Sequence, residues 1–474
     1  MIFLINEQSN LVTPTQKEVY MRLIIVANRS PYHIKKRKEY IKLDKSAGGL
    51  VAALDPVVKN TNGIWICTGE SQFQKHNIKT PYEIRQLKLT KNEISHYYEG
   101  FCNRQIWPLF HYFPARYKLE DKDWNLYRQV NQKFANEILE ILKPDDKIWI
   151  QDYHLMLIPQ MLREQGIKNK IGFFLHIPFP SVEIYKIIPR RREILEGLLG
   201  CDLIGFHTES YKKHFLECAN DQIIDAEVDF DSDIVKHDNI ESKVISLPIS
   251  IDFNLIDEIA RGKYVNKKVK ELRKSFKAQI ICLGVDRLDY TKGIVEKLEG
   301  LEYFLDNNPD YLKKITLIQI AVPTRTNISE YKYLKRQIDE TVGRINGKFS
   351  KDGWNPICYI YNSVTLKELV SYYSFADFVL ISALRDGLNL VAKEYIASRV
   401  NNDGILIISE FTGAAEELDT GNTINPYDVR SISEAILKAI NTDKKVKEET
   451  MNELREKVKE NDIYKWVDDF LTRL

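Results

Sequence analysis

The sequence predicts two doubly wound α/β domains, on three observations. Apolar, β-branched runs of strand length recur along the chain with amphipathic stretches between them, a pattern that suits parallel sheets covered by helices on both faces. The runs fall into two sets, parted by the charged stretch EVDFDSDIVKHDNIESK and then by SLPISIDFN (Ser246 to Asn254), where a Pro interrupts the pattern. Finally, 474 residues with 44% hydrophobic and 28% charged content suffice for two cores.

Residues 1–20 read as a poorly ordered extension or a mis-assigned start, and the first strand opens at Met21 and runs through LIIVAN. The first set continues with KIWIQD from Lys147, IGFFLHI from Ile171 and DLIGFH from Asp202. The second set is QIICLGV from Gln279, ITLIQIAV from Ile315, ICYIY from Ile357, FVLIS from Phe378 and GILIIS from Gly404. A hinge at Ser246 to Asn254 divides a domain of residues 21–248 from one of 249–455. The tail turns rich in Lys and Glu at Lys444 and ends in IYKWVDDFLTRL, where Trp466, Phe470 and Leu474 recur every four residues. Residues 456–474 therefore read as a closing helix with one packing face.

The 68 Lys and Arg balance 67 Asp and Glu, so no global field exists to hold nucleic acid or a membrane surface, and any anion site is local. Six scattered cysteines without a CxxC pair read as reduced core residues of a cytoplasmic protein. No apolar stretch approaches the roughly 20 residues that span a bilayer, and MIFLINEQSN lacks the features of a signal peptide.

Open parallel sheets bind ligands beyond the carboxyl ends of their strands, so the residues just after each strand are the candidates. Arg29 follows the first strand, and the Gly pair of SAGGL (Gly48, Gly49) fits either a turn or a phosphate loop. There is no GxGxxG and no Walker sequence. Asp152 follows KIWIQ, and His176, held by Pro178 and Pro180, follows GFFL; the His fits either a hydrogen-bonded structural residue or a catalytic one that shares a cleft with Asp152. DRLDYTKG places Arg287 and Lys292 beyond another strand, either as a solvated face or as a diphosphate clamp. PTRTN adds Arg325 at the same edge. In ALRDGLNLVAKEY, Gly387 permits a turn, and the amides of Leu390, Val391 and Ala392 lie at a helix start that favours anions. Glu394, one turn in, suits sugar hydroxyls; equally, Asp386 and Asn389 suit a plain helix cap. The DFD string at Asp229 to Asp231 sits in the charged stretch and reads as loop rather than as a metal site.

SAGGL, WIQDYHL, GFFLHIPFP, GVDRLDYTKG, GRINGKF and LRDGLNLVAKE, in this order, resemble the trehalose-6-phosphate synthase family of retaining glycosyltransferases from about Leu23 to the final helix. The resemblance implies a GT-B fold, two Rossmann-like domains facing across a cleft with the C-terminal helix crossing back to the first. It implies glucose transfer from a nucleotide sugar, typically UDP-glucose, to glucose 6-phosphate, giving α,α-trehalose 6-phosphate and UDP without a cofactor or metal. By position, Arg29, Tyr98, Trp107, Asp152 and Arg325 would bind the acceptor. Gly48, Gly49, His176, Arg287, Lys292, Val364, Asp386, Gly387, Asn389, Leu390, Val391, Ala392 and Glu394 would bind the donor. Asp152, His176, Arg287, Lys292 and Asp386 would carry the chemistry. Gln151 departs from the His that many relatives place before DYH, and Arg385 takes no role. A homo-oligomer is compatible with this reading, and a separate phosphatase is expected to release trehalose. Rival readings are a glucosylglycerol-phosphate synthase or pseudo-glycosidic coupling enzyme on the same fold, and a non-catalytic sensor of sugar phosphate.

Overall fold

The computed structural model describes residues 22–37, 40–46, 49–69, 78–326, 328–418 and 421–474. The expected extension at 1–20, Met21 and Gly48 lie outside them.

The first sheet begins with β1 (Leu23–Ala27). A two-stranded antiparallel hairpin, β2 (Tyr32–Arg37) and β3 (Tyr40–Lys45), leaves the sheet there before the helix Gly49–Asn60. Strands β4 (Ile64–Thr68), β5 (Glu83–Leu87), β6 (Lys147–Gln151), β7 (Ile171–Phe174) and β8 (Leu203–Phe206) follow, and then the short edge strands β9 (Glu227–Asp229), β10 (Ile234–His237) and β11 (Ile240–Ser246). Their spatial order is β5-β4-β1-β6-β7-β8-β11-β10-β9, parallel as far as β11 and antiparallel beyond it. The second sheet holds β12 (Ile280–Arg287), β13 (Ile315–Val322), β14 (Ile357–Ile360), β15 (Phe378–Ile381), β16 (Ile405–Ser409) and β17 (Thr423–Ile424), all parallel, in the order β14-β13-β12-β15-β16-β17.

Both sheets thus reverse direction once, between β1 and β6 in the first and between β12 and β15 in the second. These are the switch points at which a doubly wound sheet opens a crevice. The strands beside them are buried on both faces, which is why they read as unbroken apolar runs.

The charged stretch before the hinge forms β9, β10 and β11; of the DFD string, Phe230 and Asp231 lie in the turn, while Asp229 ends β9, where its carboxylate accepts from the Asp231 and Ser232 amides at 2.9 and 3.2 Å. Val235, Ser242 and Val244 face inward while charges face water, so an edge meander hides behind a polar composition.

The closing helix runs from Ile463 to Arg473, not from 456. Residues up to Glu460 continue the helix Lys444–Glu460, and Asp462 starts the next by accepting from the Tyr464 and Lys465 amides. This last helix crosses to the first sheet: Phe470 stacks on Trp149 at 4.2 Å, Trp466 meets Phe174 edge-on at 4.9 Å, and the Trp466 indole donates to Leu247 O at 3.1 Å. Gly172 makes the room, since a Cβ there would lie 2.7 Å from the Phe470 ring. The connector between the sheets is fastened to the second by Lys393, whose buried Nζ reaches Ile249 O at 3.0 Å and Glu417 at 2.6 Å.

Candidate active site

The carboxyl ends of β1 and β6 form one wall. Beyond β1, Asn28 is pinned by Thr68, whose hydroxyl donates to its carbonyl at 2.6 Å, and by Tyr97 on its side chain at 3.0 Å. This leaves the Arg29 side chain exposed beside a cavity of about 550 Å³ lined by Asn28, Arg29, Ser30, Tyr97 and Tyr98. Tyr98 lies parallel to His154, with ring centres 5.8 Å apart.

Asp152, the first residue after β6, has φ 74° and ψ 167°, a backbone region that almost only glycine occupies. Two bonds impose it: the Asp152 amide donates to Phe174 O at 2.8 Å, and its carboxylate accepts from the His176 amide at 3.2 Å. Burial pushes the Asp152 carboxyl up to about 6, against the pull of the Tyr153 and His176 amides and of Arg29 and Arg287. Asp152 therefore lies within reach of cations from both domains. His176 is held through Nε2, 2.9 Å from Gln151 Oε1, and burial lowers its ring to about 3, which keeps it neutral.

The second wall comes from β12, β13 and β15. Arg287 ends β12, and its guanidinium lies 5.5 Å from the Trp107 ring of the first domain. Arg325 reaches the same indole at 4.0 Å, so Trp107 sits against two arginines. Arg325 is held by the second domain as well. It is paired with the fully buried Asp289 at 2.7 Å and touches the Tyr331 and Tyr153 hydroxyls. Asp289 was visible in DRLDYTKG, but nothing in its spacing tied it to an arginine 36 positions away.

Lys292 and Asp386 join the β12 and β15 ends by a 2.6 Å ion pair. Burial alone would raise the Asp386 carboxyl; Lys292, His111 and Arg287 outweigh it and hold it below the usual carboxylate range. The Asn389 amide donates to Asp386 at 3.0 Å, and no side chain caps the helix Leu390–Ser398. The plain-cap reading fails: Asp386 and Asn389 bond to each other, and the amides of Leu390, Val391 and Ala392 are left for another partner. Asn389 has φ 90°, a strained turn into that helix.

The two walls touch. A Cβ on Gly387 would lie 2.5 Å from His176 O, so only glycine lets the β15 loop approach the β7 loop this closely. The Tyr211 hydroxyl donates to Asp386 O at 3.1 Å. Arg385 covers the Tyr112 ring at 3.9 Å, a bridge between the domains that its sequence position did not disclose.

Arg29, Tyr98, Trp107, Asp152, His176, Arg287, Lys292, Arg325, Asp386 and Gly387 thus gather at the two switch points. Val364 and Glu394 lie further along the second domain, past β14 and one turn into the helix Leu390–Ser398. Glu394 accepts from the Tyr373 hydroxyl at 2.8 Å, and burial raises its carboxyl to about 7. Gly49 starts the helix Gly49–Asn60.

A model of glycosyltransferase family 20 matches residues 21–474. An alpha,alpha-trehalose-phosphate synthase (UDP-forming) A of Dictyostelium discoideum is 41% identical over 421 residues, 88% of this chain and 57% of that protein. An alpha,alpha-trehalose-phosphate synthase (UDP-forming) of Candida albicans is 40% identical over 432 residues, 88% of this chain and 90% of that one. Among solved structures, an alpha,alpha-trehalose-phosphate synthase (UDP-forming) from Burkholderia xenovorans in complex with glucose-6-phosphate superposes with TM-score 0.85 at 31% identity, covering 95% of this chain and 99% of that one. A trehalose-6-phosphate protein from E. coli bound with UDP-2-fluoro glucose does so with TM-score 0.87 at 32% identity, covering 95% and 98%. By family match, sequence and structure alike, the chain belongs to glycosyltransferase family 20.

Proposed function

We propose that this protein is a retaining glucosyltransferase that moves glucose from UDP-glucose to glucose 6-phosphate, giving α,α-trehalose 6-phosphate and UDP. The observation that carries the proposal is the meeting of two unlike walls at the switch points. One holds Asp152 and neutral His176 beside the exposed Arg29; the other holds Arg287, Lys292 and an uncapped helix start. Similar proteins have been solved with glucose-6-phosphate and with UDP-2-fluoro glucose.

In this reading Arg29, Tyr98, Trp107 and Arg325 surround the acceptor, and Asp152 accepts from its hydroxyls. The strained backbone of Asp152 fixes the carboxylate before substrate arrives. Arg287, Lys292 and the Leu390 to Ala392 amides bind the diphosphate, His176 and Asp386 the glucose, Val364 the base through its backbone, and Glu394 the ribose. The C1–O bond to the β-phosphate breaks as the acceptor hydroxyl approaches the same face of the sugar. The departing phosphate oxygen takes the hydroxyl proton, so retention needs no enzyme nucleophile. Negative charge grows on the β-phosphate in the transition state, where fixed cations and amides act most strongly; losing one such donor costs about 3 to 4 kcal/mol. No metal is required in this scheme.

We assign residues 21–248 to the acceptor domain, 249–455 to the donor domain and 456–474 to the closing segment. The six cysteines are unpaired, which supports a reducing, cytoplasmic setting. The test is UDP release from UDP-glucose with glucose 6-phosphate, with glycerol 3-phosphate and without acceptor, each with and without EDTA. Release that needs glucose 6-phosphate and survives EDTA is expected. Release with glycerol 3-phosphate alone would move the protein to the other acceptor class, and loss in EDTA would overturn the metal-free scheme.

A further inference from the structure

Gln151 ends β6 fully buried, and its side chain makes one hydrogen bond, to His176. An amide oxygen has only lone pairs, so the ring nitrogen facing it, Nε2, carries the proton and Nδ1 keeps its lone pair. Among the described residues Nδ1 has no hydrogen-bond partner, and it is not among the occluded polar atoms, so it is the nitrogen open to a ligand. We propose that Gln151 is a positioning residue that locks His176 as the Nε2–H tautomer, so that Nδ1 presents a fixed, uncharged acceptor to a hydroxyl of the transferred sugar. The last clause rests on the donor reading of His176 given above.

Two further observations support the lock. The other end of the same amide, Gln151 Nε2, is buried without a partner, a destabilising arrangement that an apolar side chain would avoid. Among the described residues no carboxylate is bonded to or paired with the ring either. Asp152 engages His176 through its backbone amide, the His207 ring centre lies 5.4 Å away, and Phe174 and Trp466 flank the imidazole. Lys393 acts on His207 rather than on His176.

The residue type matters. A carboxylate at 151 would stabilise the imidazolium and turn Nδ1 into a donor, while an imidazole there would bring two tautomers of its own. An amide offers an acceptor with neither charge nor tautomerism.

The test is 15N–1H NMR of the full-length protein with 15N-histidine, the His176 signals assigned by their loss in His176→Asn. The expected spectrum shows His176 protonated at Nε2 and bare at Nδ1, unchanged from pH 6 to 9. In Gln151→Glu the ring should become imidazolium. Its KM for UDP-glucose should then rise on the order of tenfold at pH 6 and recover as pH rises, with the KM for glucose 6-phosphate unmoved. A proton on Nδ1 in the wild type, which a turned-over amide would impose, or a mixture of tautomers, overturns the proposal. So does a Gln151→Glu profile parallel to that of the wild type. The tautomer is read without turnover, so an enzyme inactive on UDP-glucose would defeat the sugar-transfer reading and leave the spectrum to decide the lock.

Discussion

Asp152 offers a perturbation in which backbone strain and side-chain function separate. Its φ of 74° with ψ 167° costs an L-residue about 1 to 3 kcal/mol, and glycine nothing. Asp152→Ala and Asp152→Gly both remove the carboxylate, its bond to the His176 amide and its burial penalty, so these effects cancel between the two variants. Glycine gives back about 0.4 to 1 kcal/mol through the freer unfolded chain. The glycine variant should therefore be the more stable by about 0.5 to 2 kcal/mol, read as a higher urea midpoint at equal slope by tryptophan fluorescence. Both variants should lose roughly 10- to 100-fold in kcat/KM for glucose 6-phosphate, the worth of a hydrogen bond to a charged group. An alanine variant as stable as the glycine one would refute the strain argument, and full activity in either would remove Asp152 from the acceptor site.

Lys292→Ala should lower kcat by about 10²- to 10³-fold and destabilise by about 3 to 5 kcal/mol, because Asp386 is left buried and unpaired; adding Asp386→Asn should restore stability without turnover, separating the two effects. Glu394 has its carboxyl raised from 4.5 to about 7, so it takes up a proton on folding. Its contribution to stability is full below pH 4.5 and lost as pH rises through 7; the KM for UDP-glucose should fall over the rise through 7 as the carboxylate forms, and Glu394→Gln should flatten both curves in denaturation and steady-state series. Arg287→Ala should cut kcat, while Arg325→Ala should chiefly raise the KM for glucose 6-phosphate and, through the orphaned Asp289, lower the urea midpoint; identical kinetic patterns would refute that division of roles.

Strands buried on both faces were the most legible part of the molecule. LIIVAN, KIWIQD, QIICLGV and FVLIS became β1, β6, β12 and β15, the four that border the switch points, because full burial demands an unbroken apolar run. β4 carries a similar run in IWICT, while β5, with Glu83 exposed and Ile84 alone buried, carries none. β9 to β11 were hidden by their solvent faces, and the break before Ile463 by a cap rather than a composition change. In the site, single residues after strands could be named from position alone. What joins them could not: the Arg325–Asp289 pair, the Arg385–Tyr112 bridge and the Gly387 contact with His176 O link distant positions through the folded geometry.

The central claim is that these facing walls transfer glucose to glucose 6-phosphate with retention at C1. Its most direct test is the NMR spectrum of the product from UDP-[1-13C]glucose and glucose 6-phosphate. The expected product carries one labelled anomeric carbon in the α configuration, bonded through oxygen to C1 of the acceptor, with the 6-phosphate intact. A β-configured label, a linkage elsewhere on the acceptor, or labelled free glucose as the sole product would contradict it.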